Sequence, residues 1–189
     1  MVNSGSSSLK YELFNLRNEK SLFSGAVTRI GMEEAEHSYT CAGKKAVLKI
    51  SVPDHLAAIE KVLEALTTAQ GSPLQDLSVI GAVAHRIGHG GSEYRSPVVI
   101  DEDVKTIIKK KIPVMPLHHP AMLKGIEACE QALPGIPHVA VFDTAFHSAI
   151  PDEAAIYGLP YDYFARGIRK YGFHGNSHDF VAHKAGAHR

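Results

Sequence analysis

The feature that most restricts how this chain can fold is a change of period along it. Leu9-Lys10-Tyr11-Glu12-Leu13-Phe14 alternates apolar and polar residues, as a half-buried strand does. Tyr11 to Leu16 and Leu22 to Ile30 read as strands across the polar turn Arg17-Asn18-Glu19-Lys20, and Val47 to Val52 reads as another, whereas Gly31 to Lys45 is too polar to assign. From Asp54 to Gln70 the period becomes helical, with Leu56, Ile59, Val62, Leu63 and Leu66 on one face, Asp54 as N-cap and Gly71-Ser72-Pro73 as the stop. Val79 to Ala84 then reads as a buried strand that delivers His85-Arg86-Ile87-Gly88-His89-Gly90-Gly91 at its carboxyl end. Asp101 caps a helix closed by Lys109-Lys110-Lys111, the charge order a helix dipole favours, and the lysines read as a solvated terminus. His119-Pro120 opens a further helix with Met122, Ile126, Cys129 and Leu133 on one face, ended by Pro134-Gly135. His138 to Phe142 is a last buried strand, ending at Asp143. A β-rich start followed by alternating helices and strands predicts an α/β fold, with a ligand crevice beyond the carboxyl ends of its strands.

Two such strand ends carry Arg86 and Asp143. A third polar cluster, Asn3-Ser4-Gly5-Ser6-Ser7-Ser8-Leu9-Lys10, has the make-up of a hairpin turn. The same make-up lets N–H groups and hydroxyls approach a phosphate, with Lys10 as a point charge at the start of the second strand. It lacks the spacing of a Walker loop. On residue type alone, Arg86 serves equally as an ion-pairing arginine and Asp143 as a helix cap. Composition narrows the field: 20 basic and 20 acidic residues cancel, which leaves no electrostatic footprint for nucleic acid or an anionic membrane. Cys41 and Cys129 have neither metal nor redox spacing, the histidines have no zinc-ligand pattern, and there is no signal peptide or long apolar run, which points to the cytoplasm.

Five motifs in order sharpen this: Asn3 to Lys10, His85 to Gly91, Pro116-Leu117-His118-His119-Pro120, Val141-Phe142-Asp143-Thr144-Ala145-Phe146-His147, and Tyr171-Gly172-Phe173-His174-Gly175-Asn176-Ser177-His178. With them the chain resembles the amino-terminal portion of the acetate kinases, within the sugar kinase, Hsp70 and actin superfamily. The resemblance implies an actin-like (ribonuclease H-like) ATPase domain over residues 1–151, with residues 152–189 opening an incomplete second domain. It implies reversible transfer of the γ-phosphoryl of ATP to acetate or another short-chain carboxylate, giving acetyl phosphate and ADP with Mg²⁺ or Mn²⁺. By matching motifs, Asp143, His174 and Arg86 are the catalytic candidates. Arg86, Gly88, Leu117, His118 and Phe173 would bind the substrate, Ser8 and Lys10 the nucleotide phosphates, and Asn3 the metal. The adenosine loops and further catalytic residues of the family lie beyond this chain, and its homodimers form mainly through the second domain.

Departures from the family pattern carry their own expectations. Gly88 replaces a common valine, which predicts a larger acyl pocket and tolerance of propionate or butyrate. His119 stands where asparagine is usual and Asn176 where threonine is usual, changes that the cleft should tolerate. Only Met1-Val2 precede Asn3, which predicts that the innermost strand is nearly absent and its neighbour an unpaired edge prone to association. Val181 to Arg189 reads as a helix cut short. The function classes left open are a carboxylate kinase and a noncatalytic anion-binding or dimerising module.

Overall fold

The alternating start of the chain forms a meander. In the computed structural model, which describes residues 1–187, β1 (Val2–Ser4), β2 (Ser8–Asn15), β3 (Lys20–Thr28), β4 (Ala35–Cys41) and β5 (Lys44–Ile50) pair antiparallel in sequence order. On the other side of β1, β6 (Val83–Ile87) pairs parallel to it. The two-residue β7 (Val98–Val99) and β8 (His138–Phe142) complete an eight-stranded sheet ordered β5-β4-β3-β2-β1-β6-β8-β7, with β8 parallel to β6 and β7 antiparallel to β8. The expected open edge is therefore absent. β1 is short, but it is flanked on both sides and occupies the middle of the sheet.

Two of the strands that differ from the sequence reading do so for identifiable physical reasons. β4 carries Ala-Glu-His-Ser-Tyr-Thr-Cys, with few large apolar residues, yet Ala35, His37 and Cys41 alternate inward. The inward His37 is satisfied by the Tyr11 hydroxyl of β2, 2.7 Å from its Nε2, so a polar residue occupies a core position. The strand expected over Val79 to Ala84 starts later. Asp76 caps a single 3₁₀ turn over Leu77–Val79 by accepting from the Ser78 N–H, and Val79 is exposed. His85 and Arg86 consequently lie within β6 instead of after it.

Helices cover the sheet. α1 (His55–Thr68) begins at Asp54, whose carboxylate accepts from the Ala57 N–H at 2.9 Å, and it packs Ile59, Val62 and Leu66 against Leu9, Phe23 and Val27. α2 (Glu102–Lys110) is capped by Asp101 in the same way. α3 (His119–Ala132) bridges two core clusters: Cys129 joins the first, while Met122 and Ile126 join Ile87, Ile108 and Phe142 in the second. The lysine run after α2 is only partly solvated, because Lys111 pairs with Glu93 at 3.4 Å. Two short helices, α4 (Asp152–Ala155) and α5 (Tyr161–Ala165), and the longer α6 (Gly175–Gly186) follow. α6 accounts for most of the expected terminal helix, and residues 188 and 189 of that expectation lie outside the described residues.

Candidate active site

β6 and β8 run side by side with Arg86 opposite Val141 and Ile87 opposite Phe142. Their inward residues (Val83, His85 and Ile87; His138, Ala140 and Phe142) are buried, so the alternate position, Arg86, faces the half-buried side of the sheet. Asp143, the first residue past β8, meets it there. Arg86 Nε donates to both carboxylate oxygens at 3.1 Å, and Nη2 donates to Oδ2 at 2.6 Å. The Asp143 side chain is 4% exposed and the Arg86 side chain 38%, so one end of the pair is enclosed and the other reaches solvent. Asn176 Nδ2 adds a third donor to Oδ1 at 3.2 Å, and the Asp143 carbonyl accepts from the Gly175 N–H at 2.9 Å, which fixes the start of α6 to the end of β8.

His174 sits at that helix start with φ 56° and ψ 25°, a left-handed conformation that costs a non-glycine residue about 1 kcal/mol. Its Nδ1 lies 3.4 Å from Arg86 Nη2. Guanidinium only donates, so this long contact requires Nδ1 to accept and leaves the proton of a neutral imidazole on Nε2. The segment carrying His174 rests on the buried His89 ring, which lies 4.4 Å from the half-buried Tyr171 ring and 5.8 Å, edge-on, from Phe173 between centroids. His89 Nδ1 accepts from the Gly91 N–H, and burial lowers its pKa to about 4, so the ring is a neutral structural wedge at neutral pH.

These residues border a cleft of about 470 Å³ lined by Arg86, Gly88, Leu117, His118, Phe173, Asp143 and His174, with Val114, Met115, Pro116 and Met122. Leu117 and Phe173 offer it exposed apolar surface. Asn3 and Lys10, cross-strand neighbours on β1 and β2, line a second cleft of about 180 Å³ that shares Arg86 with the first. Ser8 is not brought to either; a Cβ on Gly5 would lie 2.8 Å from its Oγ, which places the hydroxyl against the loop's own backbone. That loop is held by His55 Nε2, which donates to the Gly5 carbonyl at 2.8 Å, and by the Ile30 N–H, which donates to the Ser7 carbonyl. The room expected at Gly88 is also filled: a Cβ there would fall 2.7 Å from Met115 Cε and 2.9 Å from Sδ. Among the described residues no group of three His, Cys, Asp or Glu side chains could hold a metal ion, so Asn3 belongs to no cage of such ligands.

Asn176, His89 and Met115 join the site without having been singled out as site residues in the sequence. Asn176 lies inside a recognised motif, at a position noted in the sequence as a departure beside the cleft but given no role there. Among the described residues no helix is long and apolar enough to cross a membrane.

A mixed sheet with a parallel centre, a β-rich meander on one flank and a polar crevice at the ends of its parallel strands defines the actin-like class of α/β domain. Comparison with known proteins narrows the class: the family model of the acetokinase family matches residues 1–188, and the chain belongs to that family. It is 46% identical to the acetate kinase of Natranaerobius thermophilus over 98% of its own length and 47% of the relative's, and 44% identical to that of Thermotoga maritima. The crystal structure of Porphyromonas gingivalis acetate kinase superposes with a TM-score of 0.91 at 40% identity, and that of a propionate kinase from Francisella tularensis with 0.89 at 36%; each comparison covers 97% of this chain and 47% of the other. The chain spans about half the length of the curated relatives it matches.

Proposed function

We propose that this chain carries the carboxylate-binding and phosphoryl-facing part of an acetate kinase site, at which ATP and acetate are converted reversibly to ADP and acetyl phosphate. The observation that carries this reading is the Arg86–Asp143 pair, clamped through both carboxylate oxygens at the junction of an apolar cleft and the Asn3–Lys10 cleft. Residues 1–151 would form the first actin-like domain and residues 152–189 the opening of the second; from Asp152 onward only Ala155 and Gly175 are buried among the described residues.

Acetate, with a pKa of about 4 to 5, is already an anion near pH 7 and needs no base. In this reading its methyl group faces Leu117, Phe173 and the Gly88 wall, and its carboxylate meets the free edge of Arg86, whose planar fork suits carboxylate or phosphoryl oxygens. A carboxylate oxygen attacks the γ-phosphorus in line, the O–P bond forms as the bond to the β–γ bridging oxygen breaks, and ADP leaves with that electron pair. His174, with its proton on Nε2, donates to an equatorial oxygen as charge spreads there, and His118 is a second donor candidate on the cleft wall. Asp143 acts by holding Arg86, while Lys10 faces nucleotide phosphate. Mg²⁺ or Mn²⁺, when bound with ATP, neutralises phosphate charge. A lone carboxylate without a protein cage fits an ion held chiefly by nucleotide; Asn3 and Asp143 are the residues of this chain that would face it. A cytoplasmic setting, with acetate or another short-chain carboxylate, ATP and ADP as partners, completes the reading, and the homodimer expected of full-length family members is not assigned to this chain.

The test is binding of acetate and acetyl phosphate to the purified chain, followed by NMR, beside trapping of acyl phosphate with hydroxylamine under Mg-ATP. Binding lost in Arg86→Ala is the expected result. A folded chain that binds neither ligand overturns the reading and leaves the noncatalytic module. Turnover lost in Arg86→Ala would mean that the chain, or an oligomer of it, completes the site by itself.

A further inference from the structure

Gly88 sits between two thioethers. Its N–H points to Met122 Sδ at 3.4 Å, and the space its missing side chain would take is held by Met115 Cε and Sδ. Met115 comes from the turns between α2 and α3, where its N–H is bonded to the Lys111 and Ile112 carbonyls and its own carbonyl accepts from the His118 and His119 N–H groups. Its backbone is fixed while its half-buried side chain reaches the cleft floor. Methionine is unbranched, with three rotatable bonds, and it fills or vacates irregular space at little cost. A side chain attached at position 88 would instead be a rigid part of the strand end.

We infer that Met115, and not residue 88, sets the length of acyl chain this cleft accepts, its thioether acting as a displaceable floor beneath the carboxylate's tail. The inference rests on the carboxylate-binding reading above. Truncation at Met115 removes the Cγ, Sδ and Cε atoms, room for about two methylenes, each worth about fourfold in affinity.

The experiment uses the full chain labelled with [methyl-¹³C]methionine and titrated with acetate, propionate and butyrate, with the Met122 methyl as reporter in every variant. Met115→Ala should raise the butyrate-to-acetate affinity ratio about tenfold, and Met115→Val, a milder truncation, about fourfold. Met115→Leu, which conserves volume, should leave the ratio within about twofold. Gly88→Val in the Met115→Ala background should return it toward the starting value. Acid-dependent shifts that vanish in Arg86→Ala while the ratio stays unchanged in Met115→Ala and Met115→Val overturn this inference alone. Absence of any acid-dependent shift removes the carboxylate reading and this inference with it.

Discussion

Asp143 is the most constrained charge in the site. Its carboxylate is enclosed and takes donors from Arg86 and Asn176, so removing the arginine strands a buried anion, whereas removing the aspartate frees a half-exposed cation. Arg86→Ala should therefore destabilise the fold by about 1 to 3 kcal/mol, less than a fully buried pair because the guanidinium reaches water. A denaturant midpoint equal to that of the unsubstituted chain would contradict this. Arg86→Lys should bind acetate no better than Arg86→Ala, since one ammonium cannot grip Asp143 with two nitrogens and present a free edge to ligand; recovery of affinity in the lysine variant would refute the fork argument. In a complete acetate kinase carrying these residues, Asp143→Asn should raise the Mg²⁺ requirement, and lost turnover with unchanged Mg²⁺ dependence would count against the metal-facing role proposed for it. Arg86, Asp143 and His174 were legible because each stands in a motif of its own. The bonds that make them one site were not, since Arg86 and His174 meet only through folding, and neither the left-handed backbone of His174 nor the thioether at Gly88 leaves a trace in local composition.

Among the elements, those with strong local punctuation were readable. Asp54 and Asp101 cap α1 and α2 as the sequence indicates, and replacing either with alanine should cost about 1 kcal/mol in urea unfolding. A cost below a few tenths would mean that water satisfies those helix ends equally well. β4 and β6 escaped for opposite reasons: β4 buries a histidine where an aliphatic residue is usual, and the apolar run before β6 is interrupted by an aspartate-capped turn. Gly125 belongs to neither signal. It faces β1, where a Cβ would run into Ser4, so Gly125→Ala should push α3 off the strand that carries Asn3. The expected outcome is a loss of stability together with shifted Asn3 and Ser4 resonances; an alanine variant with native shifts would show that the contact yields freely.

At the scale of the whole molecule, buried imidazoles make the fold acid-sensitive. His85 lies 2.9 Å from His138 across β6 and β8; burial first, then the neighbouring imidazole, lowers its pKa to about 3. Burial lowers His37 and His89 to about 4. In the unfolded chain such groups take up protons near pH 6.5, and in the folded chain only at lower pH, so their contribution is complete above pH 6.5 and lost as pH falls toward 4. Each imidazole should cost up to about 1.4 kcal/mol per pH unit across that window. Denaturant midpoints that stay level between pH 7 and 5 would rule this out. The α/β class could be read from the order of periods, but the strand order could not, because β1 and β6 are joined by a register that nothing local encodes. That central three-residue strand also sets a timetable. The meander can zip up from neighbours in sequence, whereas the seam between β1 and β6 must wait for a long loop to close, and Asn3 is brought to the Arg86–Asp143 pair only across it. On the proposed function, the two halves of the anion cleft therefore form separately, and the cleft is complete only when that seam closes.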